Sequence, residues 1–252
     1  MDFKVGDLVT RISHNNDIVF KIINIEDDIC YLKGEFIRLS ADSDISDLVI
    51  YNEENKEEKE FEERLYSDKL DLRNDYFYLP GKILHIDCDV DYLNKCLNYY
   101  KKLNIMAKGI LDSEDKISKN IRNYLEEYNP NIVVITGHDA YYKDSTYKNS
   151  DNFINSIKEA RKYEKSHEKL IIIAGACQSN YEELIKAGAN FASSPKRINI
   201  HALDPAIVAA KMSLSSISED IDLKDILEKT KYGSKGMGGI VTKGTMHIGY
   251  PR

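Results

Sequence analysis

At 252 residues the chain is long enough for one large domain, or a large domain with a small one attached. Hydrophobic residues make up 42% and charged residues 31%, an ordinary globular balance, and the formal charge of −7 argues against nucleic acid or an anionic membrane as the main partner. No apolar stretch approaches the ~20 residues needed to span a bilayer, and the alternating N-terminus MDFKVGDLVT is unlike a signal peptide, so a cytoplasm-like compartment is expected.

Residues 1–51 predict a small all-β unit. KVGDLVTRI, DIVFKIINIE, ICYLKGEFIRL and SDLVIY are short alternating runs separated by the turn-forming HNND, DD and SADSD. Such a run of strands suits an SH3-like barrel serving as a docking module. Residues 52–79 open on NEENKEEKEFEERLYSDKLDLRND, a charge-rich linker or solvated helix that marks a boundary. Arg64 and Arg73 within it are exposed candidates for self-cleavage.

Residues 80–252 alternate strand and helix. GKILHIDCD, NIMAKGIL, NPNIVVITG and KLIIIAG read as apolar strands, and VDYLNKCLNYYKKL, SEDKISKNIRNYLEEY, NFINSIKEARKYE and SNYEELIKAG as the helices that follow them. Ser113 opens the second helix and Gly188 closes the fourth. ANFASS and RINIHALD read as two further short strands, with DPAIVAAKMSL helical behind them and Asp204 as its N-cap before Pro205. This rhythm predicts an α/β domain with a mainly parallel sheet covered by helices on both faces. Right-handed crossovers put every strand's carboxyl end on one edge, where ligands and catalytic groups gather.

Four segments carry reactive groups to that edge. They end in His85-Ile-Asp87-Cys88-Asp89-Val-Asp91, Thr136-Gly137-His138-Asp139, Gly175-Ala176-Cys177-Gln178 and His201-Ala-Leu-Asp204. His138 and Cys177 are 39 residues apart, one βαβ crossover, and neighbouring strands lie about 4.8 Å apart. An imidazole beside a thiol lowers its pKa and supplies a proton to a leaving amine, the logic of thiol acyl transfer. N–H groups of Gly137, Gly175 and Ala176 are candidate oxyanion donors. The plainer alternative is that Cys177, like Cys30, Cys88 and Cys96, is a free buried thiol in a reducing compartment.

His85, Asp87, Asp89 and Asp91 alternate and admit three readings: a strand end with a helix cap, an acidic specificity pocket, or a hard-cation site. No metal ligand set is assigned, and no motif asks for a cofactor. Ser193-Ser194-Pro195-Lys196-Arg197 reads first as a solvated turn, secondly as an anion site. Gln178 and Ser179 can line a cleft or open a helix, His201 and Asp204 can shape it, and Tyr141-Tyr142-Lys143 can wall a peptide groove. Residues 233–249 hold six glycines in seventeen positions without a phosphate-loop pattern and suggest a flap or hairpin.

IVVITGHD and LIIIAGACQS resemble the His and Cys blocks of the caspase, legumain and gingipain group of cysteine peptidases. Here Gly137 precedes the histidine and Asp139 follows it. A longer similarity runs through FKVGDLVTR, LPGKILHIDCD, VVITGHDAYYK, AGACQSNYEELIKAGANFASSPKRINIHALDP and GMGGIVTKGTMHIGYPR, which resemble the YabG family of sporulation-specific peptidases. The resemblance implies a caspase-like fold and a cysteine endopeptidase made in the mother cell of a sporulating bacterium. Its implied partners are spore coat and germination-related proteins, cut next to basic residues. A basic specificity asks for a pocket carboxylate, with Asp87, Asp89, Asp91 and Asp139 as candidates.

Two other classes stay open on the residues alone. Gly175-Ala-Cys177-Gln-Ser179 partly resembles a nucleophile elbow, so a glutamine-amidotransferase-like thiol hydrolase would use His201 or His247 downstream. A non-catalytic spore-assembly protein would use the barrel and an inert sheet to bind partners.

Overall fold

The computed structural model describes residues 3–52, 55–66, 73–142 and 146–251, and the chain divides into two compact units, Met1–Arg64 and Leu65–Arg252. The first unit holds a five-stranded antiparallel sheet of β1 (Leu8–Arg11), β2 (Phe20–Glu26), β3 (Ile29–Gly34), β4 (Ser40–Asp44) and β5 (Leu48–Ile50) in the order β4-β3-β2-β1-β5. Alternation puts Val9, Phe20, Ile22, Cys30, Leu32 and Leu48 on one buried face, as period-2 patterning requires. Helix α1 (Lys56–Leu65) lies in the charge-rich stretch.

The second unit carries a six-stranded sheet. Its strands are β7 (Ile83–Asp87), β8 (Ala107–Leu111), β9 (Ile132–Thr136), β10 (Ile171–Ala174), β11 (Phe191–Ser193) and β12 (Met237–Gly239), in the order β12-β11-β10-β9-β7-β8. All neighbours are parallel except the β11–β12 pair. A two-stranded antiparallel sheet pairs β6 (Phe77–Leu79) with β13 (His247–Gly249).

The central strands ILHID, IVVIT and IIIA are wholly buried because helices cover both faces. On one face lie α3 (Glu114–Tyr128), α4 (Ser150–Tyr163) and α5 (Tyr181–Ala187); on the other lie α2 (Val90–Lys102) and α6 (Asp204–Leu214). Ile117, Ile121 and Leu125 stand four residues apart on α3 and meet Leu84, Ile86, Val133 and Ile135 of the sheet. Asp89 caps α2 by accepting from the N–H groups of Asp91 and Tyr92, and Asp222 does the same for α7 (Leu223–Glu228). Helix α5 ends on Gly188 in the left-handed region. Among the described residues, no helix is long and apolar enough to cross a membrane.

Three local expectations are corrected. RINIHALD is not a strand: Ser194 and Arg197 both take positive φ, and the Arg197 N–H closes a turn on Ser194 C=O. The glycine-rich 233–249 segment is not a hairpin, because β12 adds to the main sheet's edge and β13 pairs with β6. Asp204 is the first residue of α6, with Leu203 in the cap position, and its carboxylate accepts from the backbone N–H groups of His201 and Lys231 in the loops around it.

Candidate active site

The parallel strands deliver their carboxyl ends side by side in the order β10, β9, β7. Register pairs Ala174 with Ile135 across β10 and β9, so Cys177 and His138 each lie three residues beyond a paired position. Asp87 pairs with Thr136 across β7 and β9, which brings Cys88 to the opposite flank of His138. His138 is therefore the middle member, with a cysteine on the strand end to either side.

Its imidazole is turned towards β7. His138 Nδ1 lies 3.2 Å from Cys88 Sγ, and the Cys88 thiol donates to Glu114 Oε1 at 3.0 Å. The same Glu114 oxygen accepts the His138 backbone N–H at 3.0 Å and lies 4.0 Å from Nδ1. On the ring's far side, His138 Nε2 is 3.7 Å from Asp89 Oδ2, while Asp89 Oδ1 holds the start of α2. The side chains of His138, Glu114 and Asp89 are 25%, 17% and 11% exposed, so the cluster is reachable from solvent. Gly137 makes it possible: a Cβ there would come within 3.0 Å of Glu114 Oε1 and Cys88 Sγ.

Cys177 is only 1% exposed. Its sulfur accepts the Ile200 N–H at 3.2 Å and faces the Ile200 carbonyl at 3.8 Å. The turn that carries it is tightly built. Gly175 has φ of +117° and a Cβ there would meet Ser193 Oγ at 2.2 Å, so only glycine fits without rearrangement. The Gly175 N–H donates to Ile135 C=O and the Ala176 N–H to Ser179 Oγ, so two of the three amides named as candidate oxyanion donors are taken up internally. Gln178, at φ of +55°, accepts the Tyr141 N–H and donates to Asn199, tying this turn to the loop after His138.

The remaining candidates are engaged in hydrogen-bond networks. Asp87 is buried, accepts from Thr136 Oγ1 at 2.8 Å and lies 3.7 Å from His85 Nε2, while His85 Nδ1 meets the Tyr100 hydroxyl. Asp139 is also buried and accepts from the N–H groups of Ala140 and Asn149 and from the Ser150 hydroxyl; burial pushes its carboxyl up. These bonds hold the loop together. Asp204 Oδ2 accepts the His201 N–H and Oδ1 that of Lys231, and His201 Nδ1 accepts the Leu203 N–H. Arg197 pairs with Glu182 and donates to the Tyr147 hydroxyl, so the Ser193–Arg197 segment is a pinned turn. Asp91 stands exposed in the first turn of α2, and Lys143 lies outside the described residues. A groove of about 860 Å³ lined by Tyr76, Tyr99, Leu214 and Asp222 sits by the C-terminal ends of α2 and α6, the end of the sheet opposite the cluster.

Cys88 and Glu114 are functional candidates that the sequence reading passed over. The available signal was Cys88's place at the end of a buried strand next to the one carrying His138.

The carboxyl edge of this open α/β sheet thus gathers Cys88, Glu114 and His138, with Cys177 on the adjacent strand end, at the place where proteins of this fold class hold ligands and catalytic groups. The chain belongs to the YabG peptidase family: the family model described as YabG peptidase U57 matches residues 4–69 and 56–251. It is also 42% identical over 286 aligned positions to the sporulation-specific protease YabG of Bacillus subtilis (strain 168), covering 100% of this chain and 99% of that protein.

Proposed function

We propose that this peptidase is a cysteine endopeptidase of sporulating cells in which Cys177 is the nucleophile and His138 the general acid–base. The observation that carries the reading is the β9–β10 register, which sets the two residues at matched positions on adjacent strand ends. In the reaction His138 takes the Cys177 proton as the thiolate attacks the scissile carbonyl carbon, forming a C–S bond. The same imidazole returns that proton to the amine as the C–N bond breaks. Water, deprotonated by His138, then hydrolyses the thioester. Attack requires the Cys177 sulfur to turn away from the Ile200 backbone and the imidazole to turn from Cys88. Looser catalytic contacts before substrate binds are common.

The substrates in this reading are spore coat and germination-related proteins cut beside Arg, met in the mother-cell cytoplasm at the developing coat. Since Asp87 and Asp139 are buried and engaged, Asp89 is the carboxylate facing the accessible cluster and the one best placed to receive a basic side chain. The strand order of the N-terminal sheet, with a 3₁₀ turn (Ile45–Asp47) between β4 and β5, supports an SH3-like docking module.

A second reading makes Cys88 the nucleophile, favoured by its 3.2 Å approach to His138 Nδ1. Alanine substitutions at Cys177, His138 and Cys88, assayed on an Arg-containing peptide, separate the two. Loss of at least a factor of about 1000 in Cys177→Ala and His138→Ala is expected. Full activity in Cys177→Ala with loss in Cys88→Ala would transfer the role to Cys88.

A further inference from the structure

Cys88, Glu114 and His138 form a second chemical unit beside the proposed dyad, and its geometry is that of a metal site. A thiol, a carboxylate oxygen and an imidazole nitrogen converge from three elements: the end of β7, the first turn of α3 and the end of β9. Their separations are 3.0 Å (S to O), 3.2 Å (S to N) and 4.0 Å (N to O). A tetrahedral Zn²⁺ bound at about 2.0–2.3 Å holds its ligands about 3.3–3.6 Å apart. The three atoms therefore outline one face of such a tetrahedron, each edge departing from the ideal by about 0.3–0.7 Å, which small side-chain turns close.

The surroundings fit as well. With Nδ1 as the ligand, the ring proton sits on Nε2, 3.7 Å from Asp89 Oδ2, which is longer than a hydrogen bond but near enough for a small ring rotation to make Asp89 the outer carboxylate of a ligating histidine. Asp89 is itself fixed by capping α2, and Glu114 by the His138 backbone N–H. The partial exposure of the three side chains leaves a path for an ion, whose fourth ligand would be a water. A mixed sulfur, nitrogen and oxygen set selects a borderline-soft ion over Mg²⁺ or Ca²⁺.

We propose that Cys88, Glu114 and His138 bind Zn²⁺ and that the bound ion switches the peptidase off by holding His138 away from Cys177. Binding releases the Cys88 thiol proton to solvent and uses the Nδ1 lone pair, so the imidazole can no longer accept the Cys177 proton. The inhibitory half rests on the Cys177–His138 reading; the site itself does not.

Full-length protein is titrated with Co²⁺ as a spectroscopic substitute for Zn²⁺, and Zn²⁺ affinity is measured by competition with a chromophoric chelator. One equivalent should bind, with a thiolate-to-cobalt charge-transfer band and the d–d bands of a tetrahedral ion. Cys88→Ser should abolish the charge-transfer band. Cys88→Ser and Glu114→Gln should each weaken Zn²⁺ by at least about 100-fold, since even outer partners account for about 10–100-fold. Cys177→Ser should bind Zn²⁺ and Co²⁺ as the parent does, and Asp89→Asn, which keeps the cap, should weaken binding about 10-fold or more. No stoichiometric binding, or a band that survives Cys88→Ser and vanishes in Cys177→Ser, would overturn the site. Peptide cleavage by the parent should fall as the site fills and return on chelation. Full site occupancy with undiminished cleavage would overturn the switch. Cleavage that persists in Cys177→Ser overturns the dyad and leaves the binding result standing.

Discussion

His138 Nδ1 lies 3.2 Å from the sulfur of Cys88, fifty positions earlier in the chain, on the flank away from Cys177. Sheet order explains this contact. The chain enters the sheet at β7, crosses to β8, and returns on the other side of β7 to form β9, so residues distant in sequence meet at the point where strand order reverses. His138 stands at that point between two strand ends that each carry a thiol, Cys177 proposed for chemistry and Cys88 for metal.

The turn that presents Cys177 should be intolerant of a side chain at Gly175. Its φ of +117° is strained for an L residue, and a Cβ would drive into Ser193 Oγ, which hydrogen-bonds Ala176 C=O at 2.7 Å. Gly175→Ala should destabilise the protein by about 2–3 kcal/mol, read as a lower urea midpoint at unchanged slope.

Arg161 should be a major structural anchor at the other end of the sheet. Its guanidinium donates to the carbonyls of Gly188, Glu164, Ser166 and Leu170 and to Asn190 Oδ1, joining the C-terminus of α4 to the end of α5 and the start of β10. Burial pushes its pKa down to about 10, so it stays charged at neutral pH. Arg161→Met leaves those buried acceptors unmet and should cost about 2–3 kcal/mol by the same measurement.

Beside it, His167 should make stability pH-dependent. Burial, and then the Arg161 charge 3.4 Å away, hold its pKa below the usual histidine range. The unfolded chain therefore takes up a proton near pH 6.5 that the folded protein resists, so stability falls as pH drops through that region and is unaffected above it. His167→Gln should flatten that acid-side slope in urea midpoints measured between pH 7.5 and 5. An unchanged slope would place its origin elsewhere.

Strand and helix placement were legible because burial leaves simple marks: IVVIT and IIIA are apolar throughout, and α3 repeats its apolar residues every four. RINIHALD misled because its alternation looks like a strand's, while Pro195 and the left-handed Ser194 and Arg197 turn it into a loop that backs Cys177. The proposed site was legible only in its backbone placement. Strand ends marked His138 and Cys177, but side-chain direction depends on neighbours that spacing does not reveal. Asp87 and Asp139 looked like pocket acids because a carboxylate at a strand end usually meets solvent; Thr136 and Ser150 instead satisfy them inside. Glu114 looked like an ordinary first-turn acid on α3, favourable to the helix dipole, and its reach across to Cys88 needed the fold.

The division of labour between the two thiols is tested most directly by trapping the nucleophile. Metal-free protein is treated with a peptidyl-arginine acyloxymethyl ketone and the labelled cysteine is located by peptide mass mapping. The account predicts a single adduct on Cys177 that is lost in His138→Ala and retained in Cys88→Ser. An adduct on Cys88, or labelling of Cys177 that does not depend on His138, would contradict it.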